Sequence, residues 1–335
     1  MNKIINRPED VVQEYLTGLV AAHDDLLVLE TEDRFVRRTQ GPAPGKVGVI
    51  SGGGSGCEPL HAGYVGHGML TAACPGQIFT SPVPRQIASA TRAADSGAGV
   101  LHVVKNFSGE VMNFGMATEI LAFDEERIRI EAVIVGDDVS IPDSDDHAGR
   151  RGLGGTVAVE KIAGAAAERG DDLDAVTEIA RRTASRARSL GVGLSSCTPP
   201  ARGRPIFAMD EGRMEVGIGI SGEPGREEAS LCGAADLAEL MVGEVLEDLA
   251  PQSGAPLLVL VSGMGATPGG ELLLLYGEID RQLRSRGQTP ARKLVGNLVT
   301  ALDQAGAALT LVELDPELTE LWDAPVHTPA LRWKA

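Results

Sequence analysis

The sequence predicts an α/β protein, and its 335 residues suggest about two domains, although one large domain is possible. Two observations carry the α/β prediction. Short apolar runs with strand character alternate with helical patterns along most of the 335 residues, an order of elements that is typical of α/β folds. Hydrophobic residues make up 43% of the chain and 42 residues are glycine. We therefore expect a sizeable core with many tight loops.

Strands are predicted where apolar runs are short and end at glycine or polar residues. These runs are Lys46–Ile50, Val100–Val104, Ile128–Val135, Val192–Ser196, Val216–Ile220, Leu257–Val261 and Ala308–Leu314. Helices are predicted where apolar residues recur every three or four positions. These segments are Asp10–Ala22, Pro84–Ala94, Thr156–Glu168, Leu173–Ser189, Ala234–Leu249 and Gly270–Arg286.

The boundary between the two domains is predicted within Ser185–Gly191, after a long predicted helix. This places residues 1–187 in an N-terminal domain that carries a ligand pocket. Residues 188–335 then form a C-terminal domain that contributes a loop at Ser221. A second irregular stretch, Asp137–Gly155, is dense in Asp, Gly and Arg and is predicted to be an exposed loop.

Composition and charge exclude several classes of function. A formal net charge of −17 argues against a basic surface for nucleic acid and disfavours binding to anionic lipid. No apolar segment resembles a signal peptide or approaches the length of a membrane span. The four cysteines show no C-x-x-C spacing, which excludes a zinc ribbon and is typical of reduced thiols. We expect a soluble cytoplasmic protein without a metal site that contacts neither nucleic acid nor membrane.

Four predicted strands end in a polar loop that contains glycine: Ser51–Gly56, Lys105–Glu110, Ser221–Gly225 and Ser262–Pro268. Ligands of open α/β sheets bind outside the carboxyl ends of the strands. Glycine is favoured in any tight turn, but four such loops with polar and ionisable side chains favour a pocket for a polar small molecule.

The glycine-rich segment Ser51–Gly56 matches no nucleotide-binding motif. Cys57 stands where a dinucleotide fingerprint needs its third glycine, and the Gly-Lys-Ser/Thr of a phosphate-binding loop occurs nowhere. Backbone N–H groups at the start of a following helix would suit an oxygen-rich ligand. Cys57 would lie at that helix N-terminus, where the dipole favours a thiolate, with His61 one turn further on the same face. A small buried thiol beside a structural histidine explains the same pattern.

Lys105 and Glu110 both follow a predicted strand, and Thr80 and Ser81 place two hydroxyls in a predicted turn. A lysine at a strand end is suited to contact ligand oxygens, and a glutamate to accept a hydroxyl proton. A surface ion pair explains Lys105 and Glu110 equally well. Turn capping is the default explanation for Thr80 and Ser81.

Short segments spread along the chain form a more specific pattern. They are Ser51–Pro59, His61–Gly66, Ala73–Pro82, Lys105–Glu110, Ala148–Gly152, Gly164–Gly170, Gly222–Gly225, Gly265–Pro268 and Leu321–Leu331. Together they resemble the substrate-binding (K) subunits of the dihydroxyacetone kinase family. The resemblance implies two α/β domains, a homodimer, and a small ketose bound in the first domain. It also implies that this chain binds no cofactor, and that ATP or ADP with Mg belongs to a separate L-type partner subunit.

The resemblance also implies roles for individual residues. Substrate contacts fall to Gly54, Ser55, Gly56, Lys105, Thr80 and Ser81. Three chemical positions differ from the family. Ser221 stands in place of the histidine that captures the ketone carbon as a hemiaminal, and Cys57 in place of a proton-accepting histidine. Glu110 replaces an aspartate that contacts the substrate hydroxyls. We assign these three residues as candidate catalytic groups, and their polar character is compatible with a changed substrate or reaction.

Three functions follow from these residues. The first is a kinase subunit that presents dihydroxyacetone or a related small ketose or polyol to a nucleotide-carrying partner. The second is a ketose-binding sensor or coactivator without turnover. The third is a stand-alone sugar isomerase that uses Cys57 and Glu110 as its acid/base pair.

Overall fold

The computed structural model describes residues 3–124, 127–142 and 149–334. The strands of its first six-stranded sheet are β1 (Leu27–Glu30), β2 (Phe35–Arg38), β3 (Gly48–Ser55), β4 (Ala72–Ile78), β5 (Val100–Lys105) and β6 (Ile130–Val135). They lie side by side in the order β1-β2-β4-β3-β5-β6. The four strands from β4 to β6 are mutually parallel, and β1 and β2 add an antiparallel edge.

The second half of the chain forms another six-stranded sheet. Its strands are β7 (Ala187–Gly193), β8 (Arg213–Val216), β9 (Glu227–Ser230), β10 (Pro256–Gly263), β11 (Thr289–Gly296) and β12 (Gly306–Glu313). The spatial order is β11-β10-β12-β7-β8-β9, and only β10 and β11 pair in parallel. Two short strands, β13 (Val326–His327) and β14 (Arg332–Trp333), pair near the C-terminus.

Eight helices lie within the described residues. They are α1 (Val11–Ala22), α2 (Pro84–Ala94), α3 (Ser108–Phe123), α4 (Gly155–Arg169), α5 (Leu173–Ser185), α6 (Ala234–Leu249), α7 (Gly269–Ser285) and α8 (Pro316–Asp323). Asp172 begins α5 by accepting a hydrogen bond from the Ala175 N–H, as expected of an aspartate N-cap. Among these helices none is both long and apolar enough to cross a bilayer.

Side-chain alternation along the strands divides the core of the first sheet. Ile50 and Val104 pack with α2 and α3 on one face, while Val49 and Leu101 face α4 and α5 on the other. Helix α4 also contacts β7 and β12 of the second sheet. It therefore lies between the two sheets, which explains why it is buried from Gly155 to Ala167 rather than along one stripe.

The predicted α/β order is confirmed, with several corrections to its elements. The helix predicted to reach Ser189 stops at Ser185, because residues from Ala187 onward pair with β12. The strand predicted over Val216–Ile220 ends at Val216, where Gly217 takes a positive φ of 76°. Helix α3 was not predicted, since its apolar residues face all directions rather than one stripe.

The chain passes from the first sheet to the second between β6 and β7. One apolar cluster includes Val49 and Leu101 of the first sheet together with Ile220, Leu258 and Val312 of the second half. The two sheets therefore share core. The division into domains at residue 187 stays a prediction.

The exposed loop predicted over Asp137–Gly155 is wrong at its start. Asp137 and Asp138 are buried, and the Asp137 carboxylate accepts hydrogen bonds from the Leu153 and Gly155 N–H groups, each at 2.7 Å. The middle of that segment, residues 143–148, lies outside the described residues. Ala148, which begins one of the family-like segments, lies outside them as well.

Candidate functional site

The glycine-rich segment is part of a strand. Strand β3 continues to Ser55 and pairs with β4 and β5. A turn and the short 3-10 helix Ala62–Tyr64 follow it, so the predicted α-helix with Cys57 at its N-terminus does not form. Glycine is needed here for close approach: a Cβ on Gly53 would stand 2.6 Å from Lys105 Nζ, and one on Gly54 would stand 2.7 Å from the Thr80 nitrogen.

Lys105, at the end of β5, brings a buried ammonium group to Gly53. Only 1% of its side chain is exposed. Its Nζ lies 3.9 Å from Glu110 Oε1 and 5.3 Å from the centre of the Phe107 ring. Burial of a charged group is costly unless it is paired. The carboxylate and the ring face supply that pairing.

Glu110 lies in the first turn of α3 and is also buried. Ser81 donates a hydrogen bond from its Oγ to Glu110 Oε2 at 2.5 Å. The surface ion pair considered for Lys105 and Glu110 is therefore wrong, because both groups are withdrawn from solvent. Thr80 is exposed and its hydroxyl donates to the Ile78 carbonyl oxygen at 3.2 Å. This bond is the local turn cap that its sequence position predicted.

Ser55 and Gly56, the other two predicted ligand contacts of the glycine-rich segment, make structural contacts. Ser55 Oγ is buried and donates to the Gly76 carbonyl oxygen at 2.7 Å. Gly56 has a φ of 106°, a conformation that strongly favours glycine, and a Cβ there would stand 2.9 Å from the Phe79 ring. These contacts shape the backbone beside the site.

Of the two interpretations of Cys57, the structure supports the small buried thiol over the thiolate. The thiol is fully buried and donates to the Ile220 carbonyl oxygen at 3.2 Å. Burial raises the pKa of Cys57 to about 12, and the nearby Lys105 ammonium offsets only part of that rise. Without the predicted helix there is no N-terminal dipole to lower it. The thiol is therefore protonated at neutral pH and is unsuited to accept a proton.

The Ser221 loop reaches the site from the second half of the chain. Ile220 accepts the Cys57 hydrogen bond, and the Ser221 N–H donates to Glu223 Oε2 at 2.9 Å. The Phe79 ring, which borders Gly56, also lies 3.5 Å from the position of a Cβ on Gly222. The loop therefore packs against Cys57 and Phe79, next to the end of strand β3.

The loop Ser262–Pro268 was also expected at the pocket, but its hydroxyls serve the second half of the chain. Ser262 Oγ accepts hydrogen bonds from the Leu298 and Val299 N–H groups at 3.0 and 2.9 Å. Thr267 Oγ1 donates to the Gly306 carbonyl oxygen at 2.6 Å. The loops at Lys105 and Ser221 therefore come to the glycine-rich segment or to the residues beside it. The loop Ser262–Pro268 supports the fold instead.

Sequence reasoning missed Glu160, the buried carboxylate that pairs with His61 beside the site. His61 Nδ1 lies 2.5 Å from Glu160 Oε1, and both side chains are buried. Glu160 comes from the interior of α4, 99 positions away. The signal that could have found it is a carboxylate within a helix segment that is otherwise largely apolar. Among the described residues, no group of three or more His, Cys, Asp or Glu side chains is placed to hold a metal ion.

Comparison with known proteins defines the class to which this site belongs. The model of the Dak1 domain matches residues 17–330, and the chain belongs to this family. It is 41% identical to the dihydroxyacetone-binding subunit DhaK of the PEP-dependent dihydroxyacetone kinase of Escherichia coli K12, over 99% of each chain. It is 40% identical to L-erythrulose 1-kinase of Mycolicibacterium smegmatis, covering 99% of this chain and 58% of that protein.

Solved structures agree with this assignment. The dihydroxyacetone kinase operon co-activator Dha-DhaQ superposes with a TM-score of 0.89 at 31% identity, covering 95% of this chain and 97% of the other. The dihydroxyacetone kinase of C. freundii, in complex with AMP-PNP and Mg²⁺, gives a TM-score of 0.87 at 35% identity. That match covers 98% of this chain and 60% of the kinase. The two-sheet α/β fold is therefore the fold of this family.

Proposed function

We propose that this chain is the substrate-binding subunit of a dihydroxyacetone kinase-like phosphotransferase. It holds dihydroxyacetone or a related small ketose or polyol for a separate nucleotide-carrying subunit. The observation that carries this proposal is the spacing of Lys105 and Glu110. At 3.9 Å their charged atoms are too far apart for a direct hydrogen bond, so both keep hydrogen-bonding capacity for a ligand.

The chemistry of the two groups matches a small polyhydroxy compound. The Lys105 ammonium donates to a carbonyl or hydroxyl oxygen, and the Glu110 carboxylate accepts from a hydroxyl. Ser81 holds one oxygen of Glu110 and leaves the other toward Lys105. Gly53 provides the close backbone approach. A ligand with adjacent oxygen functions would satisfy both charges at once, which supports a ketose or polyol.

The phosphoryl donor belongs to the partner in this proposal. The sequence contains no phosphate-binding loop, and the curated E. coli relative is itself described as one subunit of a kinase. The C. freundii kinase, which is longer than this chain, was solved with AMP-PNP and Mg²⁺. ATP, or ADP that is rephosphorylated on the partner, would therefore be carried with Mg outside this chain. A cytoplasmic homodimer completes the proposal.

Ser221 makes the proposed complex non-covalent. A serine hydroxyl attacks a carbonyl only when a base activates it, and the Cys57 thiol, which contacts the preceding residue Ile220, is a hydrogen-bond donor. We expect no stable adduct between ketose and wild-type chain in intact-mass spectra. Ser221→His restores an imidazole at the position and is expected to give an adduct of ketose mass. An adduct of equal yield on the wild-type chain would contradict non-covalent binding.

A ketose-binding coactivator is the second candidate, favoured by the similarity to Dha-DhaQ over 97% of that chain. It uses the same pocket without turnover. The isomerase hypothesis is weakened, because a Cys57 thiol with a pKa of about 12 is neither a base nor an effective proton donor near neutral pH, so the proposed acid/base pair lacks one member.

Reconstitution distinguishes the two candidates. The purified chain is mixed with nucleotide-carrying subunits of related kinases, with ATP or the PEP-dependent phosphate donors, and with dihydroxyacetone, erythrulose or glycerol. We expect a phosphorylated product by ³¹P NMR, and its loss with Lys105→Met. Lys293→Met, in strand β11 of the second sheet, is the matched control. Calorimetric binding without product in any mixture would favour the coactivator, and no binding would contradict both.

A further inference from the structure

A second polar group faces Gly53 beside Lys105, namely the imidazole of His61. Its side chain is 3% exposed. A Cβ on Gly53 would lie 3.1 Å from His61 Nε2 and 2.6 Å from Lys105 Nζ, so both nitrogens border the same point of the site. His61 Nε2 is buried without a hydrogen-bond partner among the described residues. A buried polar atom that is left unpaired is destabilising, which points to a ligand atom that pairs with it.

The neighbours of His61 determine which ring nitrogen carries the hydrogen. Nδ1 lies 2.5 Å from Glu160 Oε1 and 3.0 Å from Ser51 Oγ. Ser51 donates its own hydrogen to the Val103 carbonyl oxygen at 2.7 Å, so it is an acceptor toward His61. Because both neighbours of Nδ1 accept, Nδ1 carries the hydrogen and Nε2 presents its lone pair toward Gly53.

The other polar groups of the site are partly engaged by protein atoms, and Glu110 keeps only its Oε1, beside Lys105, for the ligand. Cys57 is a donor to the Ile220 carbonyl oxygen, and Glu110 already accepts from Ser81. The ionisable groups that act on His61 are Glu160, Lys105 and Glu110. Burial lowers the pKa of His61, against the opposing effect of Glu160, so the neutral ring with its free lone pair is favoured.

We propose that His61 is the proton acceptor of this site and that Glu160 is its positioning residue, an inference that rests on the proposed function. A hydroxyl of the bound ketose or polyol donates to His61 Nε2, and its O–H bond breaks as an N–H bond forms. The oxygen electron pair bonds to the γ-phosphorus of the nucleoside triphosphate on the partner. The bond from that phosphorus to the β–γ bridging oxygen breaks, and its electrons leave with the diphosphate. Glu160 stabilises the resulting imidazolium.

The variant His61→Gln tests the proton transfer. A glutamine amide reaches the position of Nε2 and accepts a hydrogen bond, but it is not a base. We expect the calorimetric affinity for dihydroxyacetone to stay within about threefold. Phosphorylation should fall at least about 100-fold, because general bases contribute about 10²–10⁴-fold. His67→Gln, whose side chain is 56% exposed, is the matched control and should keep full activity.

A measurement on the wild-type chain does not depend on the folding of any variant. In ¹⁵N spectra of histidine-labelled protein, His61 should show a protonated Nδ1 and a bare Nε2. Dihydroxyacetone should then move the Nε2 resonance toward the hydrogen-bonded range and leave His67 unchanged. In the variant Glu160→Gln, the new side-chain amide can donate a hydrogen bond to His61 Nδ1. This variant should therefore shift His61 to the Nε2–H tautomer and abolish turnover. A merely structural glutamate would leave the tautomer unchanged.

The outcomes separate this inference from the proposed function. The role of His61 alone would be overturned by either of two results. Dihydroxyacetone could bind and be phosphorylated while the Nε2 resonance stays fixed, or His61→Gln could keep full activity. Binding without product in every wild-type mixture would overturn the proton transfer and leave the coactivator. Absence of binding by calorimetry would overturn both.

Discussion

Strands β3 and β10 occupy similar places in their sheets and achieve burial by opposite means. Each has eight residues, lies between two neighbouring strands, and is almost wholly buried. Strand β10 fills its surroundings with its own side chains, from Leu257 to Val261. After Ile50, β3 offers only serine and glycine. Its surroundings are filled by polar groups from elsewhere in the chain, Lys105 and His61 among them. A site arises where a central strand has no large side chains of its own.

We expect the largest effect on dihydroxyacetone binding from Gly53→Ala. The added methyl group displaces the end of the Lys105 side chain, whose Nζ and Cε would lie 2.6 and 2.8 Å away. A lysine end can move, so the fold should persist. Loss of a charge-assisted hydrogen bond of about 1.5–3 kcal/mol should weaken dihydroxyacetone binding by about 10- to 100-fold in calorimetry.

Gly115→Ala provides the control for that substitution. Gly115 lies in helix α3, and a Cβ there meets no atom within 4 Å. Binding should be unchanged, and the unfolding free energy should rise by about 0.5–1 kcal/mol, because alanine favours the helix. If Gly53→Ala binds as tightly as Gly115→Ala, the site does not lie at β3.

The complementary change in the second sheet is Ser262→Ala at the end of β10. It removes a buried acceptor for two backbone N–H groups, so the unfolding free energy in urea should fall by about 1–3 kcal/mol. Ligand affinity should not change, since this hydroxyl serves the fold. A tenfold loss of affinity in the folded variant would place this loop in the site and erase the contrast between the strands.

The smallest effect on binding is expected for Cys57→Ser. A serine hydroxyl can still donate to the Ile220 carbonyl oxygen, so affinity should stay within about threefold. A tenfold loss would restore a ligand role for the thiol.

The same variant has a distinct pH dependence. The folded-state pKa of Cys57 is raised from 9.0 to about 12. The folded chain therefore holds this proton more tightly than the unfolded chain, and stability is lost as pH rises from about 9 to 12. Cys57→Ser lacks this loss. Between pH 8 and pH 10.5, the unfolding free energy of the wild-type chain should therefore fall relative to that of the variant. If the urea midpoints of the two proteins change by the same amount between these pH values, the raised pKa of Cys57 is contradicted.

The sequence was informative where structure is local. Helix α6 was predicted with its observed bounds of Ala234–Leu249, because it has an apolar stripe and clear ends. The sequence pattern predicts that this strand ends at Ile50, because glycine is depleted in strands. Pairing with β4 and β5 extends the observed strand β3 to Ser55. Likewise, no local pattern shows that Glu160 reaches His61.

The site followed the same rule. Lys105 and Glu110 were found because strand ends gather ligands in α/β sheets, and the structure brings them together. The state of Cys57 could not be predicted from its neighbours in the chain. It depends on burial by the Ile220 segment, which is 163 positions away.

A crystal structure of the chain soaked with dihydroxyacetone tests the location of the site most directly. We expect ligand oxygens within hydrogen-bond distance of Lys105 Nζ and the Glu110 carboxylate, beside Gly53. A cavity of about 610 Å³ lined by Asn106, Arg188 and their neighbours is the alternative location. A ligand that binds there and contacts neither Lys105 nor Glu110 would contradict a binding site beside strand β3.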